Sequence, residues 1–302
     1  MIPAGERWVD HLRDLSPVER RTRFSWKRDD LFEPADGRGV NGAKVRSAVH
    51  LVDRAVARGA TSLVFGGSVH SPAVARVAVV GEHYGLPVTI VLGGTNSTAA
   101  ARHPEMRRAM DAGASFIYGR VAYNNAIRKR VRDLAAETPG AYEVPYAIGL
   151  PDDAHPDDLR DLYNLGADQV LNLPATLNTL VIPFGSGNAA AAILTGLARE
   201  GTDVARIVLV GLGPDRRVWL GRRLDLLAAV GLTDARPLLN IVEFVDLIGT
   251  GFTTYAKAVR YSIDGVTGHP HYEAKMLQWI DEYDPMWASD GPDHTTLWVV
   301  GS

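Results

Sequence analysis

The feature that most restricts the fold of this chain is an alternation between short β-branched runs and longer amphipathic stretches. The runs have the length of strands, and the stretches have the length and apolar spacing of helices. Such an order is typical of parallel strands joined by crossover helices, so we predict an α/β fold. The predicted strands are 62–65, 88–92, 115–118, 143–148, 179–184, 206–210 and 295–300. The predicted helices are 42–58, 72–84, 98–111, 121–137, 156–172, 188–199, 216–230 and 255–264.

A polar, proline-bearing segment at 149–158 separates two series of these strand–helix units. Segments of this composition are common at domain boundaries, so we predict two lobes with a cleft between them. A chain of 302 residues with 46% apolar content is long enough to give each lobe a core.

Composition excludes several classes of function. The chain has no cysteine, which rules out disulfides, thiolate metal sites and cysteine nucleophiles. No apolar run approaches the roughly 18 residues of a membrane span, and the N-terminus lacks the apolar core of a signal peptide, so we expect a cytoplasmic protein without a membrane partner. A net charge of −3 gives no general attraction for nucleic acid. The pair His269 and His271 has no third ligand at a defined spacing, so no metal site is expected.

A glycine loop follows the predicted strand 179–184. Gly185-Ser186-Gly187-Asn188 precedes a small-residue helix that starts near Ala189. Glycines let the backbone approach an anion closely, and the N–H groups at a helix start bind it. The loop indicates a phosphate cradle, although a tight turn into a closely packed helix explains it equally well. Since no lysine follows the loop, a small phosphorylated cofactor is favoured over a nucleoside triphosphate.

A second glycine loop, 66–72, also joins a strand to a helix. Its backbone donors, Ser68, Ser71 and the imidazole of His70 suit a carboxylate or an oxyanion. Ser71 fits equally well as the N-cap of the helix. Ser68, His70 and an undetermined acid could form a hydrolase triad, but the loop has no G-x-S-x-G motif.

A third glycine pair, Gly211 and Gly213, follows the predicted strand 206–210. Arginine at position 216 replaces the third glycine of a dinucleotide fingerprint. We therefore predict only a turn at this position.

One of the five lysines lies in a segment that resembles a known family. Lys44-Val45-Arg46 follows Lys27-Arg28-Asp29-Asp30-Leu31 by thirteen residues. This resembles the K-R-E-D-L and G-G-N-K-x-R motifs of the fold-type-II pyridoxal phosphate enzymes, in the branch of aminocyclopropane-carboxylate deaminase and D-cysteine desulfhydrase. Further segments resemble this branch in the same order: 66–71 its G-G-x-x-S-N loop, 185–189 its G-S-G-G-T loop, 249–252 its G-x-G-Y segment, 269–275 its D-P-V-Y-x-x-K segment, and 300–302 its closing T-G-G.

The resemblance implies a two-domain fold similar to the β subunit of tryptophan synthase, with parallel-rich sheets flanked by helices and an active site between the domains. A large cofactor-binding domain would comprise 1–46 and 150–302, and a small domain would comprise 47–149. The cofactor would be pyridoxal 5'-phosphate, and relatives imply a homodimer. Lys44 would bind the cofactor as a Schiff base and then carry protons, which requires a neutral amine in a dry pocket.

The resemblance also implies roles for single residues. The catalytic residues would be Lys44 and His70. The cofactor-binding residues would be Lys44, Ser71, Gly185, Ser186, Gly187, Asn188, Ala189 and Phe252, and the substrate-binding residues would be Gly67, Ser68, His70 and Ser71.

This sequence departs from the family pattern at several of these positions. His70 and Ser71 stand in place of a serine and an asparagine, and Ala189 in place of a threonine. Phe252 replaces a tyrosine whose phenol acts in the deaminase, and Val300 replaces a threonine that is a common partner of the pyridine nitrogen. A histidine near the substrate could act as acid or base, or bind a carboxylate. These departures argue against ring-opening deamination of aminocyclopropane carboxylate.

The resulting hypothesis is a lyase or deaminase that forms a Schiff base with a small amino acid, removes a proton and eliminates a group. One alternative keeps the cofactor and decarboxylates or trims an amino acid attached to a larger carrier, such as a modified DNA base. Another is a non-catalytic binding protein on a decayed enzyme scaffold.

Overall fold

The protein is described by a computed structural model that covers residues 6–35, 37–120, 123–213, 215–283, 285–289 and 291–301. The chain forms two compact units. Unit 1 comprises Met1–Leu12, Glu33–Val40 and Lys44–Pro151, and unit 2 comprises Arg13–Phe32, Asn41–Ala43 and Asp152–Ser302. The predicted domains differ in that they assign all of 1–46 to the large domain. Which domain binds the cofactor stays a prediction.

Strands and helices alternate along most of the described chain. The strands are β1 (Val18–Arg20), β2 (Ser25–Arg28), β3 (Ser62–Gly67), β4 (Val88–Gly93), β5 (Ser115–Gly119), β6 (Ala141–Glu143), β7 (Thr176–Phe184), β8 (Asp203–Gly211), β9 (Val242–Asp246), β10 (Ser262–Ile263), β11 (Val266–Thr267) and β12 (Thr295–Val299). The helices are α1 (Ala43–Ala57), α2 (Pro72–His83), α3 (Ser97–Ala100), α4 (Pro104–Asp111), α5 (Asn124–Glu137), α6 (Pro156–Ala167), α7 (Asn188–Glu200), α8 (Arg217–Ala229) and α9 (Glu273–Tyr283). No helix within the described ranges is both long and apolar enough to cross a bilayer.

Unit 1 is built around a four-stranded parallel sheet in the order β5-β4-β3-β6. Its central strands are continuous apolar runs because parallel sheets are covered on both faces. Val64 and Val91 pack against Ile127 and Val131 of α5 in one core cluster. The carboxyl end of β3 leads directly into the 66–72 loop, and α2 begins at Pro72.

Unit 2 contains a six-stranded sheet in the order β1-β2-β12-β7-β8-β9. Only the β1–β2 pair is antiparallel; all the other pairs in this sheet are parallel. Trp26 and Leu297 are fully buried in the core on this sheet, where α9 contributes Met276 and Ile280. Parallel pairing places the carboxyl ends of β12, β7, β8 and β9 along one edge of the sheet, where ligands bind in open α/β folds.

The α/β class with parallel-rich sheets is confirmed, but several predicted elements are wrong. The predicted strand 143–148 ends at Glu143, and a 3-10 turn with positive φ at Ala147 and Ile148 follows. The predicted helix 98–111 is two helices, because Pro104 starts a new one. Residue 121, the predicted start of the next helix, lies outside the described residues, and α5 begins at Asn124.

The predicted helix 255–264 is also wrong: residues 255–261 form neither a helix nor a strand, and the hairpin of β10 and β11 begins at Ser262. Asp264 and Gly265 supply the turn, with φ values of 53° and 77°. Asp-Gly is a strong signal for a two-residue hairpin loop, and it ends the predicted helix at this position.

Candidate functional site

The phosphate cradle predicted at 185–189 lies at the carboxyl end of β7, and α7 starts at Asn188. Gly187 has a φ of 89°, the left-handed conformation that glycine adopts without strain. A Cβ at Gly187 would overlap the ring of Trp219, which approaches from α8. The first N–H groups of an α-helix have no acceptor within the helix. The loop therefore presents donors and the positive end of a 13-residue helix to a ligand.

Aromatic side chains of unit 2 surround this cradle. The ring of Tyr272 lies 3.2 Å from the position that a Cβ of Gly185 would take. The hydroxyl of Tyr163 donates to Oδ1 of Asn188 at 2.8 Å. Burial raises the pKa of Tyr163 to about 12, so this phenol stays protonated and remains a donor at neutral pH. These contacts fix the side chain of Asn188 at the start of α7.

Arg223 of α8 packs against two of these aromatic side chains, Tyr163 and Trp219. Its guanidinium lies 5.6 Å from the ring centre of Tyr163 and 5.1 Å from that of Trp219, and Nη2 donates to Asp152 at 2.6 Å. A buried cation over two rings restricts their orientation. Arg223 thereby holds Tyr163 and Trp219, two of the residues that pack against the cradle.

A second backbone element reaches the same edge of the sheet. β12 pairs with β7 in parallel, and Val300 follows the end of β12. The N–H of Ala43 donates to the carbonyl oxygen of Val300 at 2.9 Å, and a Cβ at Gly42 would overlap that oxygen. Gly42 also has a φ of 84°. Lys44 is thus the residue directly after a backbone segment that is anchored beside the end of β12.

A lysine and a second tyrosine are connected to Tyr272, the residue that packs against Gly185. The hydroxyls of Tyr255 and Tyr272 are 2.8 Å apart. Nζ of the fully buried Lys275 donates to the carbonyl oxygens of Thr254 at 2.8 Å and Tyr255 at 3.0 Å. Burial, and secondarily repulsion from Lys257, lowers the pKa of Lys275 to about 8. Lys275 therefore holds the turn that carries Tyr255.

Phe252 is part of the same region of unit 2. It is half-buried and packs against the core cluster that Tyr272 also joins. Its predicted contact with the cofactor ring stays a prediction. Tyr255 lies three residues later and carries the phenol that position 252 lacks.

The 66–72 loop of unit 1 brings together the four predicted substrate-binding residues. A Cβ at Gly67 would meet Val74 at 2.9 Å, so close packing of α2 alone requires glycine there. Ser71 occupies the N-cap position of α2, but its hydroxyl makes no capping hydrogen bond, which corrects the predicted side-chain cap. The ring of His70 lies edge-on to that of His103, with 4.8 Å between their centres.

The hydroxyl of Ser68 in this loop is buried and has no hydrogen-bond partner among the described residues. A buried hydroxyl without a partner is costly in a folded protein. A polar ligand at the loop would supply that partner. The hydroxyls of Ser68 and Ser71 are therefore both available for binding.

Comparison with known proteins identifies the family. The model of the pyridoxal-phosphate dependent enzyme family matches residues 18–283, most of the chain. The chain belongs to this family. Among curated proteins it is similar to the O-seryl-dTMP PLP-dependent decarboxylase of Salmonella phage ViI, with 28% identity, 98% of this chain covered and 83% of that protein.

Solved structures of this enzyme family have the same fold. An ACC deaminase homologue is superimposed with a TM-score of 0.68 at 19% identity, covering 100% of this chain and 95% of that one. Maize serine racemase gives a TM-score of 0.59 at 15% identity, with coverages of 97% and 92%. The predicted fold type II, of the tryptophan synthase β-like kind, is confirmed.

The cofactor of this pyridoxal-phosphate dependent enzyme is pyridoxal 5'-phosphate, and the cradle fits its phosphate. The left-handed turn at Gly187, the absence of a Cβ at Gly185 and the start of α7 leave backbone donors for an anion. Ala189 is in the first turn of α7, so the missing threonine hydroxyl removes one donor and leaves the N–H groups in place. The individual assignments, including Lys44 and His70 as catalytic residues, stay predictions.

Sequence reasoning assigned no role to several residues packed around the cradle. Tyr163 and Trp219 are far from it in sequence, and each resembles an ordinary apolar position on an amphipathic helix. Tyr272 belongs to the segment 269–275, whose resemblance to the D-P-V-Y-x-x-K motif is the sequence signal that could have pointed to it. Tyr255 fell within a wrongly predicted helix.

Proposed function

We propose that this enzyme decarboxylates an amino acid that is attached through its side chain to a nucleotide. The observation that carries the proposal is the similarity to the O-seryl-dTMP decarboxylase, which extends over 98% of this chain. In the proposed reaction the bond between Cα and the carboxylate breaks and CO2 leaves. A proton then takes its place on Cα, and the amine and the link to the nucleotide are retained.

Bound pyridoxal phosphate supplies an electron sink for the electrons of the broken bond. Lys44 holds the cofactor covalently and the 185–189 cradle holds its phosphate. Ser68 and Ser71 orient the substrate. His70 provides the proton for Cα, since an imidazole gains and loses protons near neutral pH.

The test is release of labelled CO2 from carboxyl-labelled O-seryl-dTMP by the purified enzyme with pyridoxal phosphate. We expect stoichiometric CO2 and an aminoethyl-linked nucleotide by mass spectrometry, and neither product with Lys44→Ala. Lys129→Ala is the matched control, because Lys129 is exposed on α5 and pairs with Asp133. Borohydride reduction followed by peptide mapping locates the lysine that binds the cofactor.

A second assay with the same enzyme tests the lyase or deaminase hypothesis. In it, free L-serine is the substrate and ammonia is the measured product. Ammonia from free serine without CO2 from O-seryl-dTMP would replace the decarboxylase proposal with a deaminase. If the cofactor does not bind covalently at all, the chain is a binding protein on an enzyme fold.

A further inference from the structure

Two tyrosines of unit 2 share a hydrogen bond close to the phosphate cradle. The hydroxyl oxygens of Tyr255 and Tyr272 are 2.8 Å apart, and the rings meet edge to face with 6.1 Å between their centres. Tyr255 precedes the β10–β11 hairpin, whereas Tyr272 directly precedes α9. The fold therefore brings the two hydroxyls together from different parts of this segment.

Tyr272 is the member of the pair that lies against the cradle. Its ring carbons Cε1 and Cδ1 are 3.2 Å and 3.5 Å from the position that a Cβ of Gly185 would take. Cε1 is the nearer atom, and only two bonds separate it from the hydroxyl oxygen. The hydroxyl end of the ring is therefore closer to Gly185, the first residue of the cradle, than the backbone end is.

An anion in the cradle is a suitable acceptor for this hydroxyl. Ala189, in the first turn of α7, has no side-chain hydroxyl and leaves only its backbone N–H as a donor. A phenol O–H is a hydrogen-bond donor, and hydrogen bonds to charged oxygen atoms are stronger than those to neutral ones. Tyr272 can therefore supply the side-chain donor that Ala189 lacks.

Lys275 determines which of the two tyrosines donates to the other. Its Nζ donates to the carbonyl oxygens of Thr254 and Tyr255 and lies 5.9 Å from the ring centre of Tyr255. With a pKa of about 8, Lys275 is positively charged at neutral pH. A nearby positive charge stabilises the negative charge that develops on a donating oxygen, so Tyr255 is the donor. The proton of Tyr272 then goes to an acceptor other than Tyr255.

We infer that the hydroxyl of Tyr272 donates a hydrogen bond to the cofactor phosphate in the 185–189 cradle, and that Tyr255 is its positioning residue. Tyr255 bonds to the oxygen of Tyr272 and thereby sets the direction of its proton. The inference rests on the cradle as the phosphate site. It concerns cofactor binding, so it applies to a decarboxylase and to a deaminase alike.

The test is phosphorus NMR of the enzyme loaded with pyridoxal phosphate, together with equilibrium dialysis of the cofactor. We expect Tyr272→Phe to shift the phosphate resonance and to weaken cofactor binding about three- to tenfold, as for the loss of one hydrogen bond. Tyr255→Phe should change both quantities in the same direction. The double variant should bind the cofactor as Tyr272→Phe does, to within about twofold, because the two hydroxyls act as one unit.

Tyr261→Phe is the matched control. Its hydroxyl also makes a hydrogen bond within unit 2, to the carboxylate of Asp281, but at an exposed site. This variant should leave the phosphate resonance and the cofactor affinity unchanged. Circular dichroism of each variant shows that it is folded.

The outcomes separate the parts of the inference. An unchanged resonance in Tyr272→Phe, with only a lower melting temperature, would overturn the contact with the phosphate and leave the hydroxyl pair a structural role. A shift in Tyr272→Phe but not in Tyr255→Phe would overturn the positioning role. Gly187→Ala changes the cradle itself, so an unchanged resonance in that variant would overturn the cradle as the phosphate site. None of these measurements depends on which product the enzyme releases.

Discussion

At the scale of single residues, Gly187 meets two independent requirements. Its φ of 89° is unfavourable for any residue with a Cβ, and that Cβ would also overlap Trp219. The first requirement concerns the backbone conformation, and the second concerns the packing of Trp219 against the cradle. A substitution at a glycine with only the first requirement separates the two effects.

Gly187→Ala should lower the free energy of unfolding by about 1–2 kcal/mol through backbone strain and should also weaken pyridoxal phosphate binding. Gly201→Ala is the matched control, since Gly201 ends the same helix with a φ of 63° and no atom lies within 4 Å of its Cβ position. Urea unfolding and titration with the cofactor measure the two quantities. Equal cofactor affinity in both variants would mean that the Trp219 contact does not shape the cradle.

Lys275 gives a pH dependence with a definite sign. Burial lowers its pKa from 10.5 to about 8 in the folded chain. Between these values the unfolded chain binds more protons than the folded chain, so this residue makes the free energy of unfolding rise as pH increases. Below pH 8 both states are protonated, and the contribution of Lys275 is constant.

Lys275→Met should therefore remove part of the rise in unfolding free energy between pH 8 and pH 10. It should also destabilise the protein because the carbonyl oxygens of Thr254 and Tyr255 lose their donor. Lys129→Met, at an exposed site, should keep the pH dependence of the wild type. The measurement is urea unfolding at several pH values, and parallel profiles for all three proteins would contradict the assigned titration.

At the scale of elements, the β10–β11 hairpin secures the start of β2. Oδ2 of Asp264 accepts the N–H of Arg23 at 2.9 Å, the N–H of Phe24 at 3.2 Å and the indole N–H of Trp26 at 3.2 Å. One turn residue thus satisfies three donors of another segment. Side-chain carboxylates make such bonds stronger than neutral acceptors do.

Asp264→Ala should cost about 2–3 kcal/mol of unfolding free energy, because three donors lose their acceptor and a left-handed position loses a residue that tolerates it. Asp264→Asn keeps one acceptor oxygen and should lose less. Thermal and urea unfolding of both variants tests this order. A loss no larger than that of Asp203→Ala, an exposed aspartate at the start of β8, would show that the hairpin does not support β2.

The strands that the sequence predicts differ from those it does not predict in their burial and their length. β3, β7 and β8 were found because a strand buried on both faces is a continuous apolar run. β1, β10 and β11 have only two or three residues, and their pairing depends on partners elsewhere in the chain. The cradle could be predicted because its residues are contiguous, whereas Tyr163 and Trp219 reach it only through the packing of α6 and α8.

At the scale of the whole molecule, unit 2 is assembled from three separate chain segments. β12, close to the C-terminus, lies between β2 from near the N-terminus and β7 from the middle of the chain. The edge of the sheet that carries the cradle therefore forms only when distant segments have paired. A ligand bound at this edge stabilises all of these pairings at once.

Removal of pyridoxal phosphate should accordingly lower the melting temperature of the protein. A ligand that binds only the folded state at about one hundred times its dissociation constant adds about 2.7 kcal/mol, which corresponds to several degrees in a chain of this size. Lys44→Ala should show a smaller shift on adding the cofactor, because its phosphate still binds the cradle while the covalent bond is lost. Arg222→Gln, at an exposed position on α8, is the control and should show the full shift. Calorimetry with and without the cofactor measures these differences, and equal shifts in the wild type and Lys44→Ala would argue that the covalent bond is made by another lysine.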